Sequence, residues 1–171
     1  MIHFENVGKR YPAGREALSG VNFRLEKGEM AFLTGPSGAG KSTVLKLVAL
    51  IERPTRGTVL VGNQNTARIP RRRIPLFRRR IGIIFQDHKL LNDRTVFDNV
   101  ALPLMIASHR RRELERRVRA ALDQVGLLEY EKHSPLSLST GEQQRVGIAR
   151  AVASRPELVI ADEPTGNLDP E

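Results

Sequence analysis

Short apolar runs alternate with longer amphipathic segments along most of the chain. The runs MAFLT (30–34), IGIIF (81–85) and LVIAD (158–162) are typical of strands buried on both faces of a parallel sheet. Between the last two, RRRELERRVRAALDQVG predicts a helix that stops at Gly126. Its apolar residues recur at helical spacing, and they are Leu114, Val118, Ala121, Leu122 and Val125.

The N-terminal part has a different pattern. Ile2–Val7 and Val21–Leu25 are predicted to be antiparallel strands around turns. We therefore expect one α/β domain over residues 1–171. It should have a mostly parallel sheet core, an N-terminal antiparallel β region and a helical insert at about 88–135.

The composition and the apolar stretches exclude several kinds of site and segment. The chain has 171 residues and no cysteine, which excludes disulfides, thiolate zinc sites and cysteine nucleophiles. The start MIHFENVGKRYP lacks the pattern of a secretory signal. Apolar stretches such as VALPLMIA fall short of the roughly 20 residues that span a membrane. We expect a soluble chain.

The net charge of +9 is concentrated in two arginine clusters. The first contains Arg68, Arg71, Arg72, Arg73, Arg78, Arg79 and Arg80, and the second Arg110, Arg111, Arg112, Arg116, Arg117 and Arg119. The favoured interpretation is a solvated face on each segment. Of the functional alternatives, proximity to an anionic membrane fits better than nucleic acid, because no aromatic residues interleave with the arginines. We expect no specific nucleic acid partner.

The strongest chemical motif is the phosphate-loop pattern GPSGAGKS at 35–42, between a predicted strand and a predicted helix. Its glycines let backbone N–H groups point at phosphate oxygens, and the helix N-terminus adds a positive end. Lys41 then reaches the β- and γ-phosphates, and Ser42 offers its hydroxyl to Mg²⁺.

A second motif is LVIADE, an apolar strand that ends in two carboxylates. Asp162 would lie at the carboxyl edge of the sheet, where the Mg²⁺ of a phosphate loop is held. Glu163 follows directly and is a candidate general base for an attacking water. Without the phosphate loop, a plain surface strand end would be the better interpretation.

A third motif, LSTGEQQRVGIARA at 138–151, opens with a predicted capping box between Ser139 and Glu142. The helix is expected to bury Val146, Ala149, Val152 and Ala153. By itself it would be a well-capped core helix. In a chain with a phosphate loop, however, its N–H groups form a second anion site. Head-to-tail pairing of two copies would close both half-sites over one γ-phosphate.

Taken together, GPSGAGKS, FQD, LSTGEQQRVGIARA, LVIADEP and GNLD resemble the nucleotide-binding domain of ABC ATPases over essentially the whole chain. Within that superfamily, IFQDHKLLNDRTVFDNVALPL and ADEPTGNLD most resemble the bacterial cell-division ATPases. Lipoprotein-release and macrolide-export ATPases, which share GNLD, are the alternative. A nucleic-acid-linked ABC ATPase is a more distant one.

The resemblance implies a P-loop NTPase of ABC type that hydrolyses ATP with Mg²⁺, forms an ATP-dependent head-to-tail homodimer and works on an integral-membrane partner. It implies a location in the cytoplasm, peripheral on the inner face of the bacterial plasma membrane. The implied catalytic residues are Glu163, Lys41 and Gln86, and the implied Mg²⁺ ligands are Ser42, Gln86 and Asp162. The implied ATP contacts are Tyr11, Gly35, Pro36, Ser37, Gly38, Ala39, Gly40, Lys41, Ser42 and Thr43, with Ser139 and Gly141 in trans. Asn167, Leu168 and Asp169 would communicate across the dimer.

The chain departs from the family pattern in two places. Thr140 replaces the first glycine of the usual Leu-Ser-Gly-Gly, and we expect it to be a harmless first-turn helical residue. The family also continues after GNLD to a switch histidine, whereas this sequence ends at Glu171. We therefore expect the C-terminal part of the domain to be missing, with weak ATP binding, little hydrolysis and a tendency to aggregate.

Overall fold

The computed structural model describes residues 1–12, 14 and 16–162. Contacts divide the chain into two compact units, Met1–Pro75 and a second unit that begins at Leu76. No helix in these described ranges is long and apolar enough to cross a membrane.

The first unit is built on an antiparallel sheet with strand order β2-β1-β3-β4. Its strands are β1 (Ile2–Arg10), β2 (Glu16–Leu25), β3 (Arg56–Val61) and β4 (Gln64–Asn65). Ile2 pairs with Leu25 and Val7 with Val21, which confirms the predicted antiparallel region. Phe4 is buried and stacks on Phe23, with 4.4 Å between ring centroids.

Helix α1 (Lys41–Val48) follows the phosphate loop and contacts β3. Its buried face consists of Thr43, Val44, Leu47 and Val48, so the helix is held by one apolar side. The side-chain burial fixes α1, and with it the residues at its N-terminus, against the sheet of the first unit.

The strand predicted at 30–34 does not form. These residues belong to no strand of the structure, and Met30 and Phe32 are each 82% exposed. A strand is buried on both faces only when it pairs into a sheet and helices cover both faces of that sheet. No strand in the described residues pairs with this segment.

The second unit contains a parallel pair, β5 (Ile81–Ile84) and β6 (Leu158–Ala161), as predicted from their apolar runs. The predicted burial on both faces is incomplete for β6, because Val159 is 45% exposed. Within the described residues β6 pairs with β5 alone, which leaves its other edge without a strand.

Three helices form the main apolar core of the second unit. They are α3 (Val96–Ile106), α4 (Arg111–Gln124) and α5 (Thr140–Val152). The short helical segments are the 3₁₀ helices Thr66–Arg68 and Arg71–Arg73 of the first unit, α2 (Ile74–Arg78) at the boundary, and the 3₁₀ helices Leu128–Tyr130 and Pro135–Ser137 of the second unit. Val100, Leu104, Leu122 and Val146 are fully buried in the shared cluster. Each such side chain contributes about 1.5–3 kcal/mol.

The predicted helical insert contains α3 and α4. The α4 prediction is confirmed, since the helix ends at Gln124 with Val125 as its C-cap, and Gly126 follows with a φ of 69°. On α5 the predicted burial is correct for Val146, Ala149 and Ala153, whereas Val152 is only half-buried.

Candidate functional site

The phosphate loop has the backbone that its glycines predict. Gly35, Gly38 and Gly40 have φ values of 148°, 82° and 97°. A Cβ on Gly40 would lie 2.6 Å from the carbonyl oxygen of Ala17. A side chain is therefore excluded there both by the left-handed backbone and by the close approach of β2.

Lys41 is the first residue of α1, and its side chain folds back over the loop. Its Nζ donates hydrogen bonds to the carbonyl oxygens of Gly35 at 2.7 Å and Pro36 at 3.1 Å. The ammonium group thus lies across the start of the loop, where the phosphate-loop interpretation requires a cation. Ser42 beside it is exposed, whereas Thr43 is buried in the first turn.

The loop fits an anionic phosphate chain. Gly40 caps α1 without a side-chain hydrogen bond, so the first turn leaves N–H groups without an intrahelical partner. No acidic side chain lies in that turn. The positive end of the helix and the Lys41 ammonium reinforce each other at this point.

Tyr11 directly follows β1 and is half-exposed. The ammonium group of Lys9 lies 5.0 Å from its ring centroid. Lys9 is itself held by an ion pair with Glu52 at 2.7 Å. The ring is therefore supported on one side by a fixed cation, and its stacking on adenine stays a prediction.

Gln86 and Asp162 follow the two parallel strands of the second unit. Gln86 is exposed, two residues past the end of β5, and Asp162 is half-buried, one residue past β6. The amide of Asp162 donates a 3.1 Å hydrogen bond to the carbonyl of Ile84. The structure thus brings these two predicted Mg²⁺ ligands to one edge of the parallel pair, as carboxyl ends of parallel strands require.

The predicted capping box at the start of α5 is confirmed. The Ser139 hydroxyl accepts from the amide of Glu142 at 3.3 Å, and the Glu142 carboxylate accepts from the amide of Ser139 at 2.8 Å. The Ser139 amide, and after it the Ser139 hydroxyl that also donates to this carboxylate at 2.8 Å, hold the pKa of Glu142 below its ordinary value. Thr140 is the first residue of the helix, as expected, and its effect on activity stays a prediction. Gly141 follows it, half-buried in the same turn.

Some predicted residues lie outside the described residues, namely Glu163, Asn167, Leu168 and Asp169. The phosphate loop belongs to the first unit, while Gln86, Asp162 and the α5 start belong to the second.

The two arginine clusters differ in their surroundings. On α4, Arg111 pairs with Glu115 at 2.9 Å, and Arg117 pairs with Glu113 at 2.6 Å. Hydrogen bonds from Arg117, and after it from Arg116, lower the pKa of Glu113 to about 2. In the first cluster, Arg71–Arg73 is exposed and forms a 3₁₀ helix. The paired second cluster fits the solvated-face interpretation.

Two polar residues that the sequence did not single out organise the loop after Gln86. Asn99 is fully buried in α3, and Arg150 reaches this loop from α5. Asn99 lies among the buried apolar residues of α3, one residue before Val100. A buried polar side chain needs hydrogen-bond partners inside the fold, so this position in the sequence was the signal that could have identified Asn99.

The phosphate loop before α1, the polar side chains at the ends of β5 and β6 and the capped start of α5 are together typical of a P-loop nucleotide-binding domain. The family model described as ABC transporter matches residues 18–166. The chain belongs to the ABC transporter family, as an ATPase domain of that family.

Similar proteins were found among both curated sequences and solved structures. The cell division ATP-binding protein FtsE of Escherichia coli K12 is 59% identical over 99% of this chain and 76% of its own length. The protein of the same name from Bacillus subtilis 168 is 46% identical over 100% of this chain and 75% of its own length.

The structural neighbours are ABC cassettes. A dimeric post-hydrolysis state of the ATP-binding cassette MJ0796 bound to ADP and Pi has a TM-score of 0.91 and 37% identity, covering 99% of this chain and 76% of the neighbour. The cbiO1 protein of Clostridium perfringens, part of the cbiONQ transporter complex, has a TM-score of 0.87 and 31% identity, covering 98% of this chain and 67% of the neighbour. The predicted ABC fold class is therefore confirmed.

Proposed function

We propose that this chain is the ATP-binding and ATP-hydrolysing subunit of an ABC-type membrane complex that acts in bacterial cell division. The observation that carries this proposal is the presence of two anion-binding helix starts on one chain. Lys41 lies across the glycine loop before α1, and Ser139 caps α5. The similarity to proteins named for cell division supports that process over lipoprotein release or macrolide export.

In this proposal the loop 35–43 binds the triphosphate, with Lys41 neutralising charge on the β- and γ-phosphates. Tyr11 stacks on the adenine. Mg²⁺, which supplies electrostatic stabilisation of the transferring phosphoryl group, is held by Ser42, Gln86 and Asp162. Gln86 and Asp162 lie at the same end of the parallel pair β5 and β6, which supports their assignment as Mg²⁺ ligands.

Glu163 orients and deprotonates the attacking water as a general base. This role follows from the resemblance and from its place directly after Asp162 in the sequence. Lys41 and Gln86 complete the proposed catalytic set.

Two copies pair head to tail when ATP is bound. The amides of Thr140 and Gly141 at the start of α5 have no intrahelical partner by helix geometry, so they are available to an anion. Ser139 and Gly141 then contact the γ-phosphate held by the other copy. Asn167, Leu168 and Asp169 communicate across the same interface. The dimeric state of the solved cassette MJ0796 supports this arrangement.

The partner is an integral-membrane protein of the FtsX type, and the pair controls cell-wall hydrolases from the inner face of the plasma membrane. We assign the contact to residues 88–104, which follow Gln86 directly. Leu91, before the start of α3, is 42% exposed, and Met105, in its last turn and just beyond the segment, is 58% exposed, so apolar surface is available near both ends of α3. Specific nucleic acid binding plays no part in the proposal.

The experiment that tests the proposal is Mg²⁺-dependent phosphate release from ATP by the full-length protein and by its Glu163→Gln variant. The variant should still bind ATP and accumulate as an ATP-bound dimer, because only the water-activating step is removed. A variant that remains monomeric by light scattering with Mg-ATP would count against the role of Glu163 and against ATP-driven pairing.

A further inference from the structure

The loop between β5 and α3 has an unfavourable backbone immediately after Gln86. His88 and Lys89 have φ values of 52° and 46°, which places two successive non-glycine residues in the left-handed region. Such conformations persist only where surrounding contacts hold them. The contacts that hold this loop therefore determine where Gln86 lies.

Arg150 makes the central contact. From the last turns of α5, its Nη1 donates to the carbonyl of Lys89 at 2.8 Å and its Nη2 donates to the carbonyl of His88. A planar guanidinium presents two N–H groups in a fixed fork, which suits two neighbouring carbonyls. Burial lowers the pKa of Arg150, in keeping with a side chain drawn in from solvent.

Asn99 fixes the far end of the same loop. Its Oδ1 accepts from the amide of Leu91 at 2.7 Å, and its Nδ2 donates to the carbonyls of Leu91 at 3.0 Å and Thr95 at 2.9 Å. The His88 imidazole between these anchors is only 8% exposed. The segment 88–91 is thus attached to both α5 and α3, while Gln86 and Asp87 stay exposed.

We propose that Arg150 is a positioning residue that ties the loop after Gln86 to α5, so that the loop and the helix begun by Ser139 move together. Arg150 lies 11 residues after Ser139, or about 16 Å along the helix. A displacement of the loop at the proposed partner surface would then reach the Ser139 end through a rigid element. This consequence rests on the proposed ATPase function, whereas the contact itself does not.

The first test measures hydrogen exchange of amides 87–91 in the purified chain without nucleotide. Arg150→Lys keeps the charge but loses the fork, so exchange should become at least about tenfold faster. Arg116→Lys, on the exposed side of α4, is the matched control and should leave these amides unchanged. Equal exchange in both variants would overturn the proposal.

A second pair of variants tests the positive-φ backbone at Lys89 and leaves Arg150 unchanged. Lys89→Gly and Lys89→Val both remove the exposed side chain and its ion pair with Asp87. Glycine accepts the positive φ, whereas a β-branched residue opposes it. Lys89→Val should reproduce the fast exchange at His88 and Leu91, and Lys89→Gly should have a smaller effect. Equal effects of the two variants would contradict a role for the held backbone.

ATP turnover then tests positioning against a purely structural role. For Arg150→Lys, kcat should fall about tenfold while the KM for ATP stays within about twofold, because the phosphate loop is untouched. Fast exchange with unchanged kcat would overturn the positioning role. Turnover is measured in the full-length protein, where its absence without any substitution would contradict the proposed function instead; the exchange results would still decide whether Arg150 holds the loop.

Discussion

The amide of Asp162 donates a 3.1 Å hydrogen bond to the carbonyl of Ile84, two residues before Gln86. Parallel pairing therefore continues one residue beyond β6, and the carboxyl ends of β5 and β6 lie side by side. This single contact places a carboxylate and an amide side chain at the same sheet edge, with oxygen ligands of the kind that Mg²⁺ prefers. It links two sequence motifs in which Gln86 and Asp162 lie 76 positions apart.

Lys41→Ala should weaken ATP binding by roughly 10- to 100-fold, because charge-assisted hydrogen bonds to phosphate are lost. Lys46→Ala, on an exposed side chain of the same helix, removes an equal charge and is the control. Titration calorimetry with Mg-ATP measures both. Unchanged affinity and turnover in Lys41→Ala would contradict the phosphate-loop assignment.

Gly40→Ala should destabilise the chain by roughly 1–3 kcal/mol more than Gly28→Ala. The two glycines have similar φ values, 97° and 88°. A Cβ at Gly40 would lie 2.6 Å from the Ala17 carbonyl oxygen, whereas at Gly28 it would meet nothing within 4 Å. Urea unfolding compares the variants. Equal losses would mean that backbone strain alone, and not close packing of the loop, governs this position.

Glu142→Gln should change how stability depends on pH. The pKa of Glu142 is depressed below its ordinary value of 4.5 by the Ser139 amide and hydroxyl. The carboxylate therefore contributes stability that is complete above pH 4.5 and is lost as pH falls through the depressed pKa. The difference in urea midpoint between wild type and variant should shrink over that range.

Glu129→Gln, on an exposed side chain away from α5, controls for the loss of one negative charge. A midpoint difference for Glu142→Gln that stays constant from neutral pH to below pH 4.5 would show that the charge of the capping box has no part in stabilising α5.

Much of the local structure was predictable because it depends on neighbours in sequence. Short sequence patterns predict the capping box at Ser139, the end of α4 just before Gly126 and the positive φ values of the loop glycines. The strand predicted at 30–34 was wrong, because strand formation depends on partners far along the chain.

The contacts around Gln86 could not be predicted for the same reason. Arg150 meets His88 across 62 residues, and nothing local in either segment indicates the pairing. Helix α5 contains both Arg145 and Arg150, and the sequence does not show which of them contacts the loop. Only the folded structure distinguishes the two.

Exchanging the charges of Asp93 and Arg94 should uncouple the membrane partner while sparing ATP binding. Both side chains are exposed, at 77% and 61%, within the segment assigned to partner contact. Exchanging the charges of the exposed Arg111–Glu115 pair on α4 is the matched control. Co-purification from membranes measures coupling. Loss of nucleotide affinity in the Asp93 and Arg94 variant would instead place this segment in the nucleotide site.

In the proposed dimer, one ATP is enclosed by Lys41 of one copy and Ser139 of another. Ser139→Arg should bind ATP but fail to pair, and Lys41→Ala should fail to bind productively. A mixture of the two contains dimers in which both defects fall in one site, leaving the other intact. ATP-dependent association measured by energy transfer between labelled chains should therefore appear in the mixture and not in either variant alone. Association in the mixture no greater than in the separate variants would contradict the shared site.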